Sequence, residues 1–256
     1  MNEILFILVI YEQELEATTA YKSLQGYFDD DELKSLLYVH DNTKKNVYLA
    51  QAYNDGIKVA KERGKKWIAL LDDDFFVGSD YLENIKQIAN GGMDSCAVPK
   101  LFDSDGKCLS PQWYNHQSGP FKMLYDMPSG HADTMVAFNA GAIFNIAMLE
   151  AALGSFNTEY PIDYLDYDTF YRLNQQRIEP IVMPVKMQHD LSLANEKYIG
   201  EQRYKSLLKA EKRFALQLNT HSAVTWYKLR LCGRIVKWAI TCHAYVGITI
   251  KHLLNI

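Results

Sequence analysis

The first hundred residues alternate short apolar runs with longer amphipathic segments, and no other feature restricts the fold as strongly. The apolar runs are rich in Ile, Leu and Val with little polar alternation, which is typical of strands buried on both faces of a sheet. Strands that alternate with helices predict a parallel, doubly wound sheet with right-handed crossovers. The predicted strands are residues 4–11, 36–40, 67–71 and 96–99, followed later in the chain by 181–185.

Helices are predicted from the spacing of apolar residues and from capping signals. Gly26 and Gly64 stand where two of the helices should end. Between residues 101 and 137, glycine and proline residues predict a hairpin and a long loop, and residues 142–153 return to regular structure. The predicted helices are residues 15–26, 47–63, 81–89, 164–176 and 196–218.

Composition indicates a globular chain that buries its own core. Of its 256 residues, 48% are hydrophobic and 23% are charged, which excludes a mainly disordered protein. The net charge of −4 argues against a general nucleic-acid binder. The four cysteines have no C-x-x-C spacing, so neither a zinc ribbon nor a thioredoxin motif is predicted, and reduced thiols in the cytoplasm are the simpler expectation.

No targeting or membrane-spanning segment is expected. The apolar run at residues 4–11 is only eight residues long, and Glu3 stands where a signal peptide has Lys or Arg. Residues 238–250 lack formal charge, but thirteen residues fall short of the ~20 needed to span a bilayer. We therefore predict a cytoplasmic protein that attaches, at most, peripherally to the inner face of the cell membrane.

A basic, aromatic tail follows an acidic body. From Lys212 onward the chain has seven Lys or Arg and no Asp or Glu. Aromatic and aliphatic residues are interspersed with these basic residues over 226–256, which is typical of helices that lie on anionic membranes. A helix that packs on the rest of the chain or on a second subunit has the same composition. The predicted domains are accordingly an α/β domain over 1–220 and a helical tail over 221–256.

Three consecutive carboxylates, Asp72, Asp73 and Asp74, follow the predicted strand at residues 67–71. Adjacent carboxylates repel one another, and a bound divalent cation offsets that repulsion. Mg²⁺ and Mn²⁺ prefer oxygen ligands, and Mg²⁺ usually takes one or two carboxylates together with substrate phosphates. The D-x-D spacing places Asp72 and Asp74 on the same side of an extended chain. A metal site is therefore predicted, against the alternative of a solvated loop that caps the next helix.

A second acidic cluster lies in residues 163–172. On a helix, Asp168 and Arg172 are four residues apart and can pair, whereas Asp166 lies on a different face and is free to point into a site. These carboxylates also suit a helix N-terminus, where their role is structural. His189 follows the last predicted strand, a position that favours an imidazole near a metal or a diphosphate.

These residues occur in the order found in family 2 glycosyltransferases, which the sequence resembles over residues 4–190. The strand-end D-x-D, the Asn139-Ala140-Gly141 segment, the segment from Asp163 to Arg172 and the later His189 are together most similar to the rhamnosyltransferase-like branch. The resemblance implies a GT-A fold, a Rossmann-like α/β architecture with a mostly parallel central sheet, followed here by the helical tail. It also implies that the α/β domain catalyses an inverting sugar transfer.

The resemblance further implies roles for individual residues. Asp166 resembles the catalytic base, Asp74 and His189 resemble ligands of Mn²⁺ or Mg²⁺, and Asp41 resembles a carboxylate that contacts the nucleotide base. The other residues implied to bind substrate are Asp72, Asp73, Asn139, Gly141, Asp168 and Arg172. The implied partners are a nucleotide-diphospho-sugar donor and a glycan or lipid-linked acceptor, as in polysaccharide biosynthesis. An anionic membrane surface and an oligomer are further predicted partners, and nucleic acid is not.

Three other functions have to be separated from sugar transfer. A nucleotidyltransferase shares the fold and the metal, but it usually has a glycine-rich basic loop after the first strand, where this chain has Glu12-Gln13-Glu14. A phosphohydrolase of the D-x-D-x-[TV] type would need Thr or Val at Phe76. A catalytically silent nucleotide-sugar-binding scaffold would not need the intact acidic residues. The chain also departs from the family pattern at two places. The loop after the first strand differs from that of many family relatives, and Leu165 stands where many of them have Glu.

Overall fold

The computed structural model describes residues 1–43, 45–92, 95–128, 133–188, 200–241 and 243–256. Its contacts divide the chain into two compact units. Unit 1 comprises Met1–Pro111 and Ala137–His189, and unit 2 comprises Gln112–Val136 and Asp190–Ile256. Each unit is formed by two separate segments of the chain. The boundary between the units therefore does not coincide with the predicted domain boundary at residue 220. The separate domains predicted over 1–220 and 221–256 stay a prediction.

The strands and helices of the described residues have the following bounds. The strands are β1 (Ile4–Ile10), β2 (Leu37–Asp41), β3 (Trp67–Leu71), β4 (Cys96–Phe102), β5 (Cys108–Ser110), β6 (Gln112–Asn115), β7 (Asp133–Val136), β8 (Ile143–Asn145) and β9 (Ile181–Gln188). The helices are α1 (Thr19–Gln25), α2 (Asp30–Leu36), α3 (Tyr48–Glu62), α4 (Ser79–Asn90), α5 (Ile146–Leu153), α6 (Leu165–Gln175), α7 (Glu201–Gln217), α8 (His221–Thr241) and α9 (Val246–Leu253).

The central sheet of unit 1 has seven strands among the residues that the structure describes, in the order β2-β1-β3-β8-β4-β5, with β9 also paired to β4. β2, β1 and β3 are parallel neighbours, and β9 is parallel to β4. β8 is antiparallel to both β3 and β4, and β5 is antiparallel to β4. The predicted mostly parallel sheet is confirmed, with two antiparallel strands that the alternation of the first hundred residues does not indicate.

The middle of this sheet excludes water, because every residue of β1 and β3 is buried. Parallel strands that are covered by helices on both faces need this continuous apolar character. α3 approaches β1 closely at Gly56, where an added Cβ atom would lie 2.5 Å from the Ile7 side chain. The absence of a side chain at residue 56 therefore allows this helix to pack directly on the sheet.

α2 is a helix that the apolar spacing does not predict, although the sequence contains its capping signal. The Asp29 side chain accepts hydrogen bonds from the N–H groups of Asp31 and Glu32 at 3.0 and 2.8 Å. The Glu32 side chain closes a capping box on the backbone of Asp29. The region predicted to be regular over 142–153 divides into β8 and α5, because the Asn145 side chain caps α5 by accepting the Met148 N–H.

Unit 2 combines the antiparallel β6–β7 pair with α7, α8 and α9. Tyr204 of α7 and the α8 residues Tyr227 and Trp238 are fully buried. Arg234 of α8 donates two hydrogen bonds to the buried carboxylate of Glu211 on α7, at 2.6 and 2.8 Å. Such a buried two-point ion pair holds the helices in one geometry. The first helix of the predicted tail therefore packs against α7. Within the described residues, no helix is both long enough and apolar enough to cross a membrane.

Candidate functional site

Three strands of unit 1 end at a common edge of the sheet, called the carboxyl edge below. Ile10 at the end of β1 pairs with Asp41 at the end of β2, and Leu71 at the end of β3 pairs with Leu8 of β1. The chain passes from β1 outward to β2 and then to β3 on the other side of β1, so the strand order reverses between β1 and β3. Ligands of open α/β sheets bind in the crevice at such a point.

The acidic triplet leaves β3 at the carboxyl edge. Asp72 and Asp73 are partly buried, whereas Asp74 is exposed. The Gln13 amide donates a hydrogen bond to the Asp73 carboxylate. Burial and then repulsion from Asp74 raise the pKa of Asp73 above its ordinary value. A cation bound beside Asp74 would relieve this repulsion, and the triplet is therefore a candidate metal site.

The loop from Asn139 to Ala142 lies along the end of β3. The Gly141 N–H donates to the Leu70 carbonyl at 2.8 Å, and the Leu70 N–H donates to the Ala142 carbonyl at 2.9 Å. The Tyr81 hydroxyl of α4 donates to the Gly141 carbonyl at 3.0 Å. Hydrogen bonds to the strand and to the helix therefore fix this loop beside the acidic triplet.

Two independent constraints require glycine at position 141. Its φ of +73° lies in the left-handed region that favours glycine. An added Cβ atom would also lie 2.4 Å from the Phe75 ring, which is buried and packs against Tyr81 with ring centroids 5.4 Å apart. The sequence resemblance implies a substrate-binding role for Gly141, and these contacts show in addition that it sets the approach of the loop to β3.

Asp166 lies in the first turn of α6 and reaches the same loop. The Asn139 N–H donates a hydrogen bond to Asp166 Oδ1 at 3.1 Å. Burial raises the pKa of Asp166 to about 7, and repulsion from Asp72 and Asp163 adds to this rise, while the hydrogen bond from Asn139 opposes it. The acidic triplet, the loop and α6, which are far apart in the sequence, thus meet at one place.

Tyr53 of α3 belongs to this group, although the sequence pattern assigns it only to the apolar face of its helix. Its ring is buried and packs edge-on against Phe156 at a centroid distance of 5.3 Å. Burial, followed by the charges of Asp72 and Asp166, raises the pKa of Tyr53 well above its ordinary value. The Tyr53 hydroxyl therefore remains protonated near two carboxylates. A tyrosine within an otherwise aliphatic stripe is the sequence signal that could have indicated it.

The side chain of Asn139 is buried and unsatisfied. It is 3% exposed, yet neither the nitrogen nor the oxygen of its amide has a hydrogen-bond partner among the described residues. Buried polar side chains nearly always have such partners, so an unsatisfied amide next to Asp166 marks a place where a ligand or water completes the site. This observation supports the substrate-binding role that the resemblance implies for Asn139.

Asp168 and Arg172 form the ion pair that their spacing predicts. The Arg172 Nη1 atom lies 3.5 Å from Asp168 Oδ2, and Asp168 is fully buried. Arg172 also donates hydrogen bonds to the carbonyls of Leu153 and Ser155, the latter at 3.1 Å. The guanidinium therefore ties α6 to the end of α5. The assignment of Asp168 and Arg172 to substrate binding stays a prediction.

Asp41 lies at the carboxyl edge in a separate turn. Its Oδ1 accepts the Thr43 N–H at 2.8 Å, and the Thr43 hydroxyl accepts the Glu12 N–H at 3.1 Å. The turns after β1 and β2 are thereby linked. Asp41 accepts a hydrogen bond within its own turn, whereas Asp166 accepts one from the Asn139 N–H, so these two predicted site residues contact different loops. His189, the predicted metal ligand, lies outside the described residues.

Left-handed backbone at residues other than glycine also occurs around this edge. Glu12 follows β1 with a φ of 54°, Tyr48 begins α3 and Tyr164 directly precedes α6, the last two with a φ of 64° each. Such conformations cost about 1–3 kcal/mol each and persist where surrounding contacts enforce them, often in active sites. Their position beside the acidic residues is consistent with a site shaped for a ligand.

The carboxylates suit a metal that is shared with a ligand. In the part of the chain that the structure describes, no three His, Cys, Asp or Glu side chains are grouped so that they could hold a metal ion. Mg²⁺ usually takes only one or two carboxylates together with phosphate oxygens. Exposed Asp74 beside Asp72 provides that donor set. The residues therefore fit a cation held jointly with a diphosphate, and they do not form a closed protein cage.

Comparison with known proteins agrees with this geometry. Residues 25–149, just under half of the chain, match the family model described as glycosyl transferase family 2. The resemblance to family 2 glycosyltransferases is thereby confirmed. No curated protein matches the chain. The finer likeness to the rhamnosyltransferase-like branch of the family stays a prediction.

Two solved structures share the fold of this chain. GalNAc-T7 with UDP, GalNAc and Mn²⁺ has a TM-score of 0.52 at 12% identity, over 98% of this chain and 54% of that one. S. aureus TarS 1–349 in complex with UDP has a TM-score of 0.50 at 10% identity, over 96% of this chain and 75% of that one. The GT-A fold is confirmed. The present chain spans about half of the GalNAc-T7 chain, and identities this low establish the fold alone.

Replacing Gly141 with alanine should destabilise the fold more than a matched replacement of Gly154. Both glycines have a left-handed φ, +73° and +69°, but only at Gly141 would the new Cβ atom meet another group. Both variants should lose about 1 kcal/mol from the backbone. Gly141→Ala should lose about 1–3 kcal/mol more from the contact with Phe75, measured by urea denaturation. Equal losses would mean that the ring moves aside without cost.

Asp166→Asn should make the protein more stable at high pH, measured without divalent cations. The folded chain keeps a proton on Asp166 up to about pH 7, while the unfolded chain loses it near pH 3.8. The free energy of unfolding of the wild type therefore falls as the pH rises through this range, whereas that of Asp166→Asn should not. The gain should grow from about zero at pH 4 to at most about 4 kcal/mol above pH 7. A gain that is independent of pH would contradict the raised pKa.

Proposed function

We propose that this chain is an inverting, metal-dependent glycosyltransferase that moves a sugar from a nucleotide-diphosphate donor to a hydroxyl of a glycan or lipid-linked acceptor. The observation that carries the proposal is the position of Asp166, which is bonded to the Asn139 N–H and stands near Asp72 at the carboxyl edge. The match of residues 25–149 to the family 2 model supports sugar transfer as the reaction class. The neighbours solved with UDP make UDP-sugars the first donors to test.

The donor diphosphate would lie at the acidic triplet. Asp74, with Asp72 beside it, would hold Mn²⁺ or Mg²⁺, which supplies charge neutralisation at the departing diphosphate. Asp73 accepts a hydrogen bond from the Gln13 amide, and its role in substrate binding remains part of the proposal. The role of His189 as a further ligand remains part of the proposal.

Asp166 would act as the general base. Its carboxylate would accept the proton of the acceptor hydroxyl while the hydroxyl oxygen bonds to the anomeric carbon and the bond to the diphosphate breaks. A pKa of about 7 suits this task, because a base is most effective when its pKa is near the working pH. The buried, unsatisfied amide of Asn139 would orient a hydroxyl of the sugar or of the acceptor next to this base.

Two alternatives make different predictions at the same site. A nucleotidyltransferase would need a basic loop at the end of β1, whereas the residue there, Gln13, is uncharged and bonds to Asp73. A silent scaffold would bind a nucleotide sugar without turning it over. Metal-dependent hydrolysis of the nucleotide sugar in the absence of an acceptor would exclude the scaffold, because transferases commonly transfer slowly to water.

The anionic membrane stays a proposed partner, with one supporting observation. Leu229, Val236 and Ile240 of α8 are 52%, 61% and 78% exposed and recur at spacings of seven and four residues along one side of the helix. Lys228 and Lys237 flank this stripe. Basic helices with such an apolar stripe bind at the surface of anionic bilayers.

Asp74→Asn should abolish Mn²⁺-dependent binding of UDP while the fold stays intact. The change removes one negative charge from the residues that would hold the cation, so Mn²⁺ should no longer strengthen the binding of UDP. Glu62→Gln makes the same change of charge at the exposed end of α3, away from the carboxyl edge, and should bind UDP like the wild type. Titration calorimetry with and without Mn²⁺ measures both. Equal Mn²⁺-dependent affinity in both variants would refute the metal assignment.

Asp166→Asn should lower turnover by about 10²-fold or more and leave donor affinity nearly unchanged, because a base acts on the acceptor. The wild-type rate should rise with pH through about 7, since only the ionised carboxylate can accept the proton. Asp168→Asn is the contrast, because it breaks the pair with Arg172 and should lower stability first. Rates and donor dissociation constants of both variants decide the matter. Near-normal turnover of Asp166→Asn would show that the base is elsewhere.

A further inference from the structure

Unit 2 contains a cavity of about 370 Å³ between α7 and α9, called the α7–α9 pocket below. Leu208 of α7 and Ile248 of α9 contribute its apolar wall, and Gly247 lies beside them. Its volume falls within the ~300–1,000 Å³ range of small-molecule sites. The residues that line this pocket are far in the sequence from those of the carboxyl edge of unit 1. No step of the proposed sugar transfer uses the pocket.

Three lysines also line the α7–α9 pocket, and no carboxylate does among the residues that the structure describes. Lys205 and Lys209 are one turn apart on α7, and Lys251 belongs to α9. Lys205 is paired with Glu201, while Lys209 and Lys251 form no ion pair with any described residue. All three lysines are exposed. An apolar wall thus adjoins a cluster of ammonium groups that lacks enough counter-charge.

The remaining polar ring in the pocket is neutral at neutral pH. His252 Nε2 lies 2.8 Å from the Tyr227 hydroxyl. Burial, followed by the charge of Lys212, lowers the pKa of His252 below its ordinary value of 6.5. The positive charge of the pocket is therefore confined to the exposed lysines, and its inner wall carries none.

Exposed apolar side chains continue from the pocket along both helices. Leu216 is 52% exposed and follows Lys205 and Lys209 on α7 at spacings of eleven and seven residues, which places it on the same side of the helix. Leu254, the residue that directly follows α9, is 81% exposed and lies three residues after Lys251. Lysines beside exposed apolar groups are the arrangement that suits the boundary between lipid head groups and acyl chains.

We propose that the α7–α9 pocket binds a single anionic phospholipid of a membrane, with an acyl chain against Leu208 and Ile248 and the phosphate among the lysines. Charge complementarity selects this occupant. Inorganic phosphate would use the lysines and leave the apolar wall uncovered, and an uncharged amphiphile would leave the ammonium groups uncompensated. The inference does not depend on the proposed sugar transfer, because no residue of the carboxyl edge takes part.

Filling the pocket gives the sharpest test. Gly247 has open space where a side chain would be added, so Gly247→Phe should occupy the cavity without a clash in the helix. Gln87→Phe is the control, since Gln87 is also helical and exposed, on α4, and lies neither in the pocket nor on the exposed stripe of α8. Full-length protein of each kind is mixed with vesicles of phosphatidylcholine alone, or with one third phosphatidylglycerol, and sedimented.

Wild type and Gln87→Phe should sediment with the anionic vesicles and not with the neutral ones, and Gly247→Phe should bind at least about tenfold more weakly. Equal binding of Gly247→Phe and wild type would overturn the proposal, as would failure of the wild type to bind anionic vesicles. An equal loss in Gln87→Phe would also overturn it, because the loss would then not depend on filling the pocket.

A second pair of variants guards against misfolding of Gly247→Phe and tests the lysines. Lys209→Glu with Lys251→Glu changes only exposed positions of the pocket, and Lys86→Glu with Lys107→Glu makes the same change of charge at exposed positions of unit 1. Only the first pair should lose affinity for dodecyl phosphate, measured by calorimetry below its micellar concentration. Wild type should bind dodecyl phosphate about tenfold more tightly than inorganic phosphate or dodecyl maltoside. Equal affinities for dodecyl phosphate and phosphate would contradict an acyl-chain site.

Discussion

The pairing of the Asn139–Ala142 loop with the end of β3 is the contact on which the candidate site depends. Leu70 exchanges backbone hydrogen bonds with Gly141 and Ala142, and from there the Asn139 N–H reaches Asp166. One short loop thus links the acidic triplet of β3 to the first turn of α6. The link needs a residue without a side chain at position 141, because Phe75 occupies the space that a Cβ atom would take. The distance between the two acidic groups is consequently set by backbone geometry.

The predictable parts of this site are those with a local sequence pattern. The uninterrupted apolar run of β3 followed at once by carboxylates indicates a strand end that bears charge, and the helical spacing of Asp168 and Arg172 indicates their ion pair. β8 is only three residues long, so it has no period to detect, and its antiparallel pairing comes from tertiary contacts. The role of Tyr53 is hidden for a related reason, because its hydroxyl matters only through neighbours distant in the sequence.

The carboxyl edge concentrates features that reduce stability. Asp73 and Asp166 have raised pKa values because they are at least partly buried and lie near other carboxylates. Asn139 carries an unsatisfied buried amide. A fold selected for stability alone would have no reason to group such residues, whereas a site that binds a cation and a diphosphate gains from each of them. The destabilising carboxylates and the unsatisfied amide at this edge therefore indicate a function, whereas the well-packed middle of the sheet does not.

The ion pair between Arg234 and Glu211 has a practical consequence for anyone who shortens this protein. A chain cut before α8 would keep Glu211 while losing the Arg234 guanidinium that donates two hydrogen bonds to its carboxylate. Tyr204 would at the same time lose its hydrogen bond from the Trp238 indole and the ring packed beside it. The shortened product would retain a buried charge and an uncovered apolar surface, and its behaviour would report on that damage instead of on the tail. Single substitutions on the outer side of α8 preserve the packing and are therefore a better test of what the tail does.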